Sequence, residues 1–224
     1  MNNIVLDGGV TKLDRLFSVT NITVKSDSVL NAINLGINNK INITIEEDAT
    51  LVFNLFNFED ESSIDINIES RDRSKINLNA GFISRIKYDL NINTNLYGDD
   101  ILTNVEVRGI NESTGTVKIL MNGTVAGETK NNVMNEYAKI INKSEYSNVL
   151  IPNLIVNTNE IEANHGVSIG GHNKDEIFYL MSKGLDEYAA KGVIEEGFIL
   201  SIMDGEIREI IKNILIGRVK FNGI

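Results

Sequence analysis

The 224-residue sequence contains no cysteine and no tryptophan, and it has only one proline and two histidines. The absence of cysteine excludes disulfide bonds, thiolate nucleophiles, and zinc or iron–sulfur sites ligated by cysteines of this chain. Any metal that the chain binds must therefore be held by histidine, by carboxylates or by residues of a partner.

Basic charge and long apolar runs are also scarce. The formal net charge of −10 disfavours binding to the phosphate backbones of nucleic acids. No stretch approaches the ~20 consecutive apolar residues that span a bilayer. The first residues, MNNIVLDGGVTKLD, lack a basic segment followed by an apolar run. We therefore expect no signal peptide, and a cytoplasmic location.

Short segments of alternating apolar and polar residues fill the first three quarters of the chain. In KINITIEEDATLVFNLF, residues 40–56, Ile41, Ile43 and Ile45 alternate with polar residues, and SSIDINIES, residues 62–70, repeats the pattern. A period of two predicts half-buried β-strands. Asparagine is abundant between and beside the strands, where its tolerance of left-handed backbone suits tight corners.

Two architectures fit many short strands. One is an antiparallel sandwich or barrel, and the other is a β-solenoid of stacked coils. The hairpin dipeptides Asn-Gly and Asp-Gly are scarce, and only Asn122-Gly123 lies among strong strand segments. This scarcity favours the solenoid, but no exact repeat is visible, so the pattern leaves both architectures open.

The pattern changes at about Lys174, where apolar residues begin to recur at helical spacing. Gly184 is predicted to end a first helix, Asp186 to cap the next one, and Gly205 to separate the second helix from a third. We therefore expect a β-rich domain over residues 1–173 and a helical segment over residues 174–224.

Both histidines lie in ANHGVSIGGH, residues 163–172. The seven-residue separation is too loose for a helical ligand pair, and by spacing alone they are two polar residues near a strand-to-helix loop. We expect His172, where the helix begins, to have a capping or solvated role. The acidic residues Asp175, Glu176, Glu195 and Glu196 are expected to form a solvated face.

A longer segment carries more information than the histidines alone. Residues 161–198, IEANHGVSIGGHNKDEIFYLMSKGLDEYAAKGVIEEGF, contain several ordered features: a His-Gly pair, an acidic pair before Phe-Tyr-Leu, a Ser-Lys-Gly, an alanine-bearing helix and a final Gly-Phe. This segment closely resembles the C-terminal signature of the SufB/SufD family of iron–sulfur cluster assembly proteins. Upstream, residues 116–125 and 148–163 are similar to the family's final coils.

The resemblance implies an all-β right-handed parallel β-helix (solenoid) with a short C-terminal α-helical segment. It also implies a scaffold, not an enzyme, whose C-terminal helices dock a SufC-like ABC ATPase. Since this sequence has no Walker A segment, ATP hydrolysis is expected in the partner. The family's dimers meet around the last coils, so we expect a homodimer, or a heterodimer with a SufB/SufD paralogue. The ATPase-docking candidates are Phe178, Tyr179, Leu180, Ser182, Lys183 and Gly184.

The chain also departs from the family pattern. SufD-like members often carry a cysteine where Ala163 stands, and SufB-like members place glutamates where Asn164 and Gly166 stand. The chain therefore looks like a reduced, cysteine-free relative. His165 is the remaining candidate for a cluster or iron ligand, or for a gate at the dimer interface. Strand alternation points Glu162 away from it.

The expected cargo is an iron–sulfur cluster or iron, bound transiently and not by cysteine, and the sequence does not tell whether a flavin takes part. Two functions of other classes stay open. One is a β-solenoid carbohydrate-binding or adhesion protein, which the asparagine-rich strands fit. The other is a β-helix enzyme acting on carbohydrate, which needs a paired carboxylate cluster that no spacing singles out.

Overall fold

The computed structural model describes residues 2–13, 19–35, 37–112 and 114–221, with side chains described up to residue 217. The strands are β1 (Asn2–Leu13), β2 (Val19–Ile33), β3 (Asn39–Ile45), β4 (Thr50–Asn57), β5 (Glu61–Ser70), β6 (Lys75–Ser84), β7 (Lys87–Leu96), β8 (Leu102–Asn111), β9 (Thr116–Val125), β10 (Asn132–Asn142), β11 (Asn148–Val156) and β12 (Ile161–Gly170). The helices are α1 (Lys174–Ser182), α2 (Glu187–Leu200) and α3 (Gly205–Phe221).

The strands form a parallel β-solenoid. Their order is β11-β9-β7-β5-β3-β2-β4-β6-β8-β10-β12, with β1 paired to β2. The long strand β2 pairs with β3 through its first half and with β4 through its second half. From there the odd-numbered strands β3–β11 form one stack and the even-numbered strands β4–β12 form the other. All pairings between the described strands are parallel, so the predicted solenoid is confirmed and the antiparallel alternative is wrong.

The core is the interior between the two stacks. Because side chains alternate along a strand, every second residue points inward and aligns with its paired residue in the next coil. One such column runs through Ile41, Ile66, Ile92 and Met121, all fully buried. Burying an aliphatic side chain of this size contributes about 1.5–3 kcal/mol, so repetition over the coils stabilises the solenoid.

Asparagine ladders run along the outside of the solenoid. Each side-chain amide donates to the asparagine of an adjacent coil over 2.8–3.0 Å. The ladder in the odd-numbered stack contains Asn3, Asn21, Asn42, Asn67, Asn93, Asn122 and Asn153. Corner positions such as Asn38 and Asn131 have positive φ, as predicted. Asparagine is therefore enriched for two reasons: it forms the ladders and it occupies the left-handed corners. The sequence pattern predicted only its role at the corners.

The helices α2 and α3 cover the outer face of the even-numbered stack. Phe56 and Ile110 of the strands pack in one buried cluster with Ile199, Met203 and Ile207 of the helical segment. This cluster explains why Phe56 and Ile110 are apolar although they lie on the outer face of their strands. Among the described residues, no helix is long and apolar enough to cross a membrane.

The predicted boundaries of the helices are confirmed. The Asp186 carboxylate accepts a hydrogen bond of 2.7 Å from the Ala189 amide at the start of α2. Gly184, with φ of +98°, follows the end of α1, and Gly205, with φ of +65°, lies at the start of α3. These left-handed conformations are the reason that glycine ends or separates the helices at these positions.

Candidate functional site

The last coil, formed by β11 and β12, leaves one end of the solenoid open. Each of these two strands has a single neighbouring strand among those described. As a result, inward-facing residues that would be buried in an earlier coil are partly exposed here, including Val167 and Ile169. The open end is therefore the place where the interior can be reached from outside.

His165 lies at this open end and points toward the interior. It pairs with Glu136 of β10, whose side chain is inside the solenoid. Residues paired in neighbouring parallel strands face the same side, so the imidazole lies over the interior and is exposed because it belongs to the last coil. Glu162 faces the outside, as predicted, and its carboxylate accepts a 3.4 Å hydrogen bond from the Asn164 amide.

Glu136 is a further residue of the open end, which the sequence pattern did not predict as a site residue. Its side chain is fully buried, and neither carboxylate oxygen has a hydrogen-bond partner. Burial raises the pKa of the Glu136 carboxyl to about 7. The signal was present in NVMNEYAKI, residues 132–140, where an acidic residue stands at an inward position of the alternating pattern.

The room for the Glu136 carboxylate comes from Gly123 on the opposite stack. A Cβ at Gly123 would overlap the sulfur of Met134 and would lie 3.3 Å from Glu136 Oε1 and 3.0 Å from Leu154 Cδ1. Because Gly123 has no side chain, the thioether of Met134 and the carboxylate of Glu136 fit into the interior directly below the last coil. This also explains why Asn122-Gly123 lies inside β9 and not in a hairpin turn.

Few of the described side chains at the open end can serve as metal ligands. Among the described residues, no three His, Asp or Glu side chains are arranged to hold one metal ion together. His165 and Glu136 are two nitrogen and oxygen donors on neighbouring strands, which a metal could use together with water or with residues of another chain.

The candidate docking residues lie in and just after α1, a helix with no buried residue. The side chains of Phe178 and Tyr179 are 75% and 60% exposed. The Lys183 ammonium lies 5.4 Å from the centre of the Tyr179 ring, and the Ser182 hydroxyl donates to the Tyr179 carbonyl over 2.6 Å. Leu180 is half-buried, and Gly184 ends the helix. The predicted docking segment is therefore a surface rich in aromatic side chains.

Two expectations are wrong: that His172 caps the helix or is solvated, and that Glu195 belongs to a solvated face. The cap of α1 is Asn173, whose side-chain oxygen accepts from the Asp175 amide over 2.9 Å. His172 neither caps the helix nor is solvated, because its Nε2 lies 2.7 Å from Glu195 Oε1 in a half-buried contact. The same oxygen accepts from the Lys143 ammonium over 3.0 Å. Glu195 thus connects α2 to the segment before α1 and to Lys143, the residue that follows strand β10, and does not belong to a solvated face.

The chain is similar to proteins of one known family. The family model "SUF system FeS cluster assembly, SufBD core domain" matches residues 17–198. An iron–sulfur cluster assembly SufBD family protein of Pyrococcus horikoshii is 30% identical over 99 residues, a stretch that covers 41% of this chain and 22% of that relative's length. The family match includes the solenoid from β2 to its open end, α1 and most of α2. The chain belongs to the SufB/SufD family of the SUF system of iron–sulfur cluster assembly.

Proposed function

We propose that this chain is a non-enzymatic scaffold subunit of an iron–sulfur cluster assembly complex. In this proposal it docks a SufC-like ABC ATPase through α1 and pairs with a second SufB/SufD-type chain through its last coil. Family membership supports the assembly role and favours it over the carbohydrate-binding, adhesion and carbohydrate-processing alternatives. ATP hydrolysis takes place in the ATPase, because this sequence has no Walker A segment.

The exposed aromatic residues of α1 carry the docking proposal. Phenylalanine is among the residues most often buried, so an exposed Phe178 beside an exposed Tyr179 is typical of a contact surface. Aromatic side chains also contribute a large share of binding energy in protein interfaces. The carboxylates of Asp175 and Glu176 lie in the first turn of the same helix and would complement a basic rim on the ATPase.

The position of α1 supports a mechanical link between the ATPase and the open end. Only residues 171–173 separate β12 from α1. Within this connection, His172 contacts Glu195 of α2, so α1 is attached to both the last coil and the helical cover. A movement of docked ATPase subunits would therefore reach β12, which carries His165. We propose that ATP-driven closure of the ATPase pair alters the subunit interface around this residue.

The outer face of β11 supports pairing with a second SufB/SufD-type chain. Its exposed side chains include Val149, Ile151 and Ile155. By contrast, the outer face of β5 in the same stack carries Asp65 and Glu69 among its polar residues. An apolar face beside an unpaired strand edge is a surface that a second chain can cover. The partner in this proposal is a second copy or a paralogue.

The docking proposal is tested by co-expression with a SufC-like ATPase, followed by size exclusion with light scattering. The wild type is compared with Phe178→Ala/Tyr179→Ala and with Tyr146→Ala, which removes a similarly exposed aromatic ring far from α1 in sequence. We expect a complex with the wild type and with Tyr146→Ala, and none with the folded double variant. No complex with the wild type, or equal complex formation by the double variant, would overturn the proposal.

A further inference from the structure

A cavity of about 350 Å³ lies between the helices α2 and α3 and the ends of β6 and β8. Its apolar lining consists of Ile83, Ile110 and Leu215, which are all buried. Sites for small ligands are typically concave, about 300–1,000 Å³ in volume, and lined by apolar residues with a few polar groups. Among the described residues, those that line this cavity include none from β12 or α1, so it is separate from the open end and from the docking surface.

One face of α2 forms a wall of the cavity. Tyr188, Lys191, Gly192 and Glu195 line it and are spaced three or four residues apart, as residues on one side of a helix are. Glycine inside a helix is less favourable than alanine, and here it removes a side chain from the middle of this face. Gly192 therefore helps to keep the cavity open.

Both lysines that line the cavity already have carboxylate partners. The Lys143 ammonium lies 3.0 Å from Glu195 Oε1 and 4.0 Å from Glu112 Oε1. The Lys191 ammonium lies 2.6 Å from Glu187 Oε1, one turn earlier in α2. An anionic ligand would have to compete with these carboxylates, so the cavity does not favour an anion.

Glu196 leaves the cavity with an unpaired negative charge. It is half-buried beside the apolar lining, and among the described residues none forms a hydrogen bond or an ion pair with it. A partly desolvated carboxylate is stabilised by a cation that donates a hydrogen bond to it. Tyr188, which is 52% exposed, borders the same cavity at its opening, and the face of an aromatic ring also attracts a cation.

We propose that this cavity binds a small organic cation that has an apolar body and a protonated amine. The body packs against Ile83, Ile110 and Leu215, and the ammonium group pairs with Glu196 beside the ring of Tyr188. The site adds a small-molecule ligand to the proposed assembly role and does not rest on that role.

The test uses 2-phenylethylamine as the probe, because it joins a small apolar body to a protonated amine. The full, isotope-labelled chain is titrated at pH 7.5, and the NMR chemical shifts of its backbone amides are followed. The matched control ligand is 3-phenylpropionate, which has a similar size and the opposite charge. We expect the amine to shift the amides of residues 188–196, and 3-phenylpropionate to bind about tenfold more weakly.

Three variants examine the two parts of the site. Glu196→Gln keeps the size of the side chain and should weaken binding of the amine about threefold or more. Glu209→Gln makes the same change of charge at an exposed position of α3 outside the cavity lining, and should bind like the wild type. Gly192→Leu should fill the cavity and abolish binding. Thermal unfolding shows whether each variant is folded, and Glu196→Gln decides the question if Gly192→Leu is not.

Absence of amine-induced shifts at residues 188–196, equal binding of the two probes, or wild-type affinity in folded Glu196→Gln would overturn the ligand site. Protection of these residues by the SufC-like ATPase, without any response to the amine, would assign the cavity to a protein contact and would also overturn it. The docking proposal is judged separately by complex formation with the ATPase, so either proposal can fail without the other.

Discussion

Glu136 and His165 occupy directly paired positions on β10 and β12, so a fully buried carboxylate lies one coil below an exposed imidazole. The earlier coils place Val105 and Leu78 in the same column. The last two coils therefore differ in chemistry from the rest of the solenoid. The last of them is also connected directly to α1, on which the docking proposal rests.

Glu136 should make the stability of the folded protein depend on pH. Burial raises the pKa of its carboxyl from 4.5 to about 7. Between these values the folded state binds a proton that the unfolded state has released, so the free energy of unfolding falls as the pH rises from about 4.5 to about 7. The loss amounts to about 3 kcal/mol. Glu136→Gln should lack this loss and be more stable than the wild type at pH 8.

Urea denaturation at pH 5 and at pH 8 measures the effect. Glu162→Gln serves as the control, because its carboxylate lies on the outer face of β12 and should leave the wild-type pH dependence unchanged. The same change in unfolding free energy between the two pH values in the wild type and in Glu136→Gln would contradict this account.

The buried part of an asparagine ladder should contribute measurably to stability. Asn54 is 2% exposed, donates to Asn31 Oδ1 over 3.0 Å and accepts from Asn79 over 3.0 Å. Asn54→Ala breaks both bonds and should lower the free energy of unfolding by about 2–3 kcal/mol. Asn153→Ala, at the exposed end of the other ladder, should lower it by less than about 0.5 kcal/mol. Similar losses in the two variants, measured by denaturant unfolding, would contradict this view.

Gly109 should be intolerant of even one methyl group. A Cβ at this position would overlap the ring of Phe82, which is fully buried and stacked on Tyr88 with ring centres 3.9 Å apart. Because the ring cannot move freely, Gly109→Ala should destabilise the protein by about 3 kcal/mol. Gly170→Ala has no atom within 4 Å of the new methyl group and is the control. Equal melting temperatures of the two variants would refute the packing argument.

The contact between His172 and Glu195 should stabilise the attachment of α1. Glu195 accepts from Lys143 as well, and its side chain is 19% exposed. Glu195→Ala should lower the free energy of unfolding by about 1–2 kcal/mol. It should also speed amide exchange in α1, because the helix loses its connection to α2. Glu196→Ala, at the adjacent position, is the comparison, and an equal effect of both variants would count against the contact.

The sequence predicted the strand content, the helical segment and its boundaries, because alternation and capping are local. It left the architecture open until the family resemblance was considered, and the reason lies in the coil lengths. Bonded asparagines of the odd-numbered stack are separated by 18 residues at the first step and by 31 at the last. A repeat of variable length leaves no fixed period in the sequence, although its coils align in space.

For the same reason, only one of the two paired residues at the open end, His165, could be singled out from the sequence. His165 stood out through the resemblance, but Glu136 precedes it by 29 residues, and only the strand pairing brings the two together. An acidic residue in an alternating strand is normally interpreted as facing outward. The registers of β10 and β12 show that this one faces inward. His172 was misjudged because its partner, Glu195, lies on the next helix.

Hydrogen–deuterium exchange, measured on the chain alone and with a SufC-like ATPase, tests the docking account most directly. We predict that the ATPase slows exchange of the α1 amides, residues 174–182, at least tenfold, with a smaller effect in β12. Tyr146→Ala should show the same slowing, and Phe178→Ala/Tyr179→Ala should not. Unchanged exchange in α1 at saturating ATPase, or protection confined to another surface, would contradict the claim that α1 is the docking element.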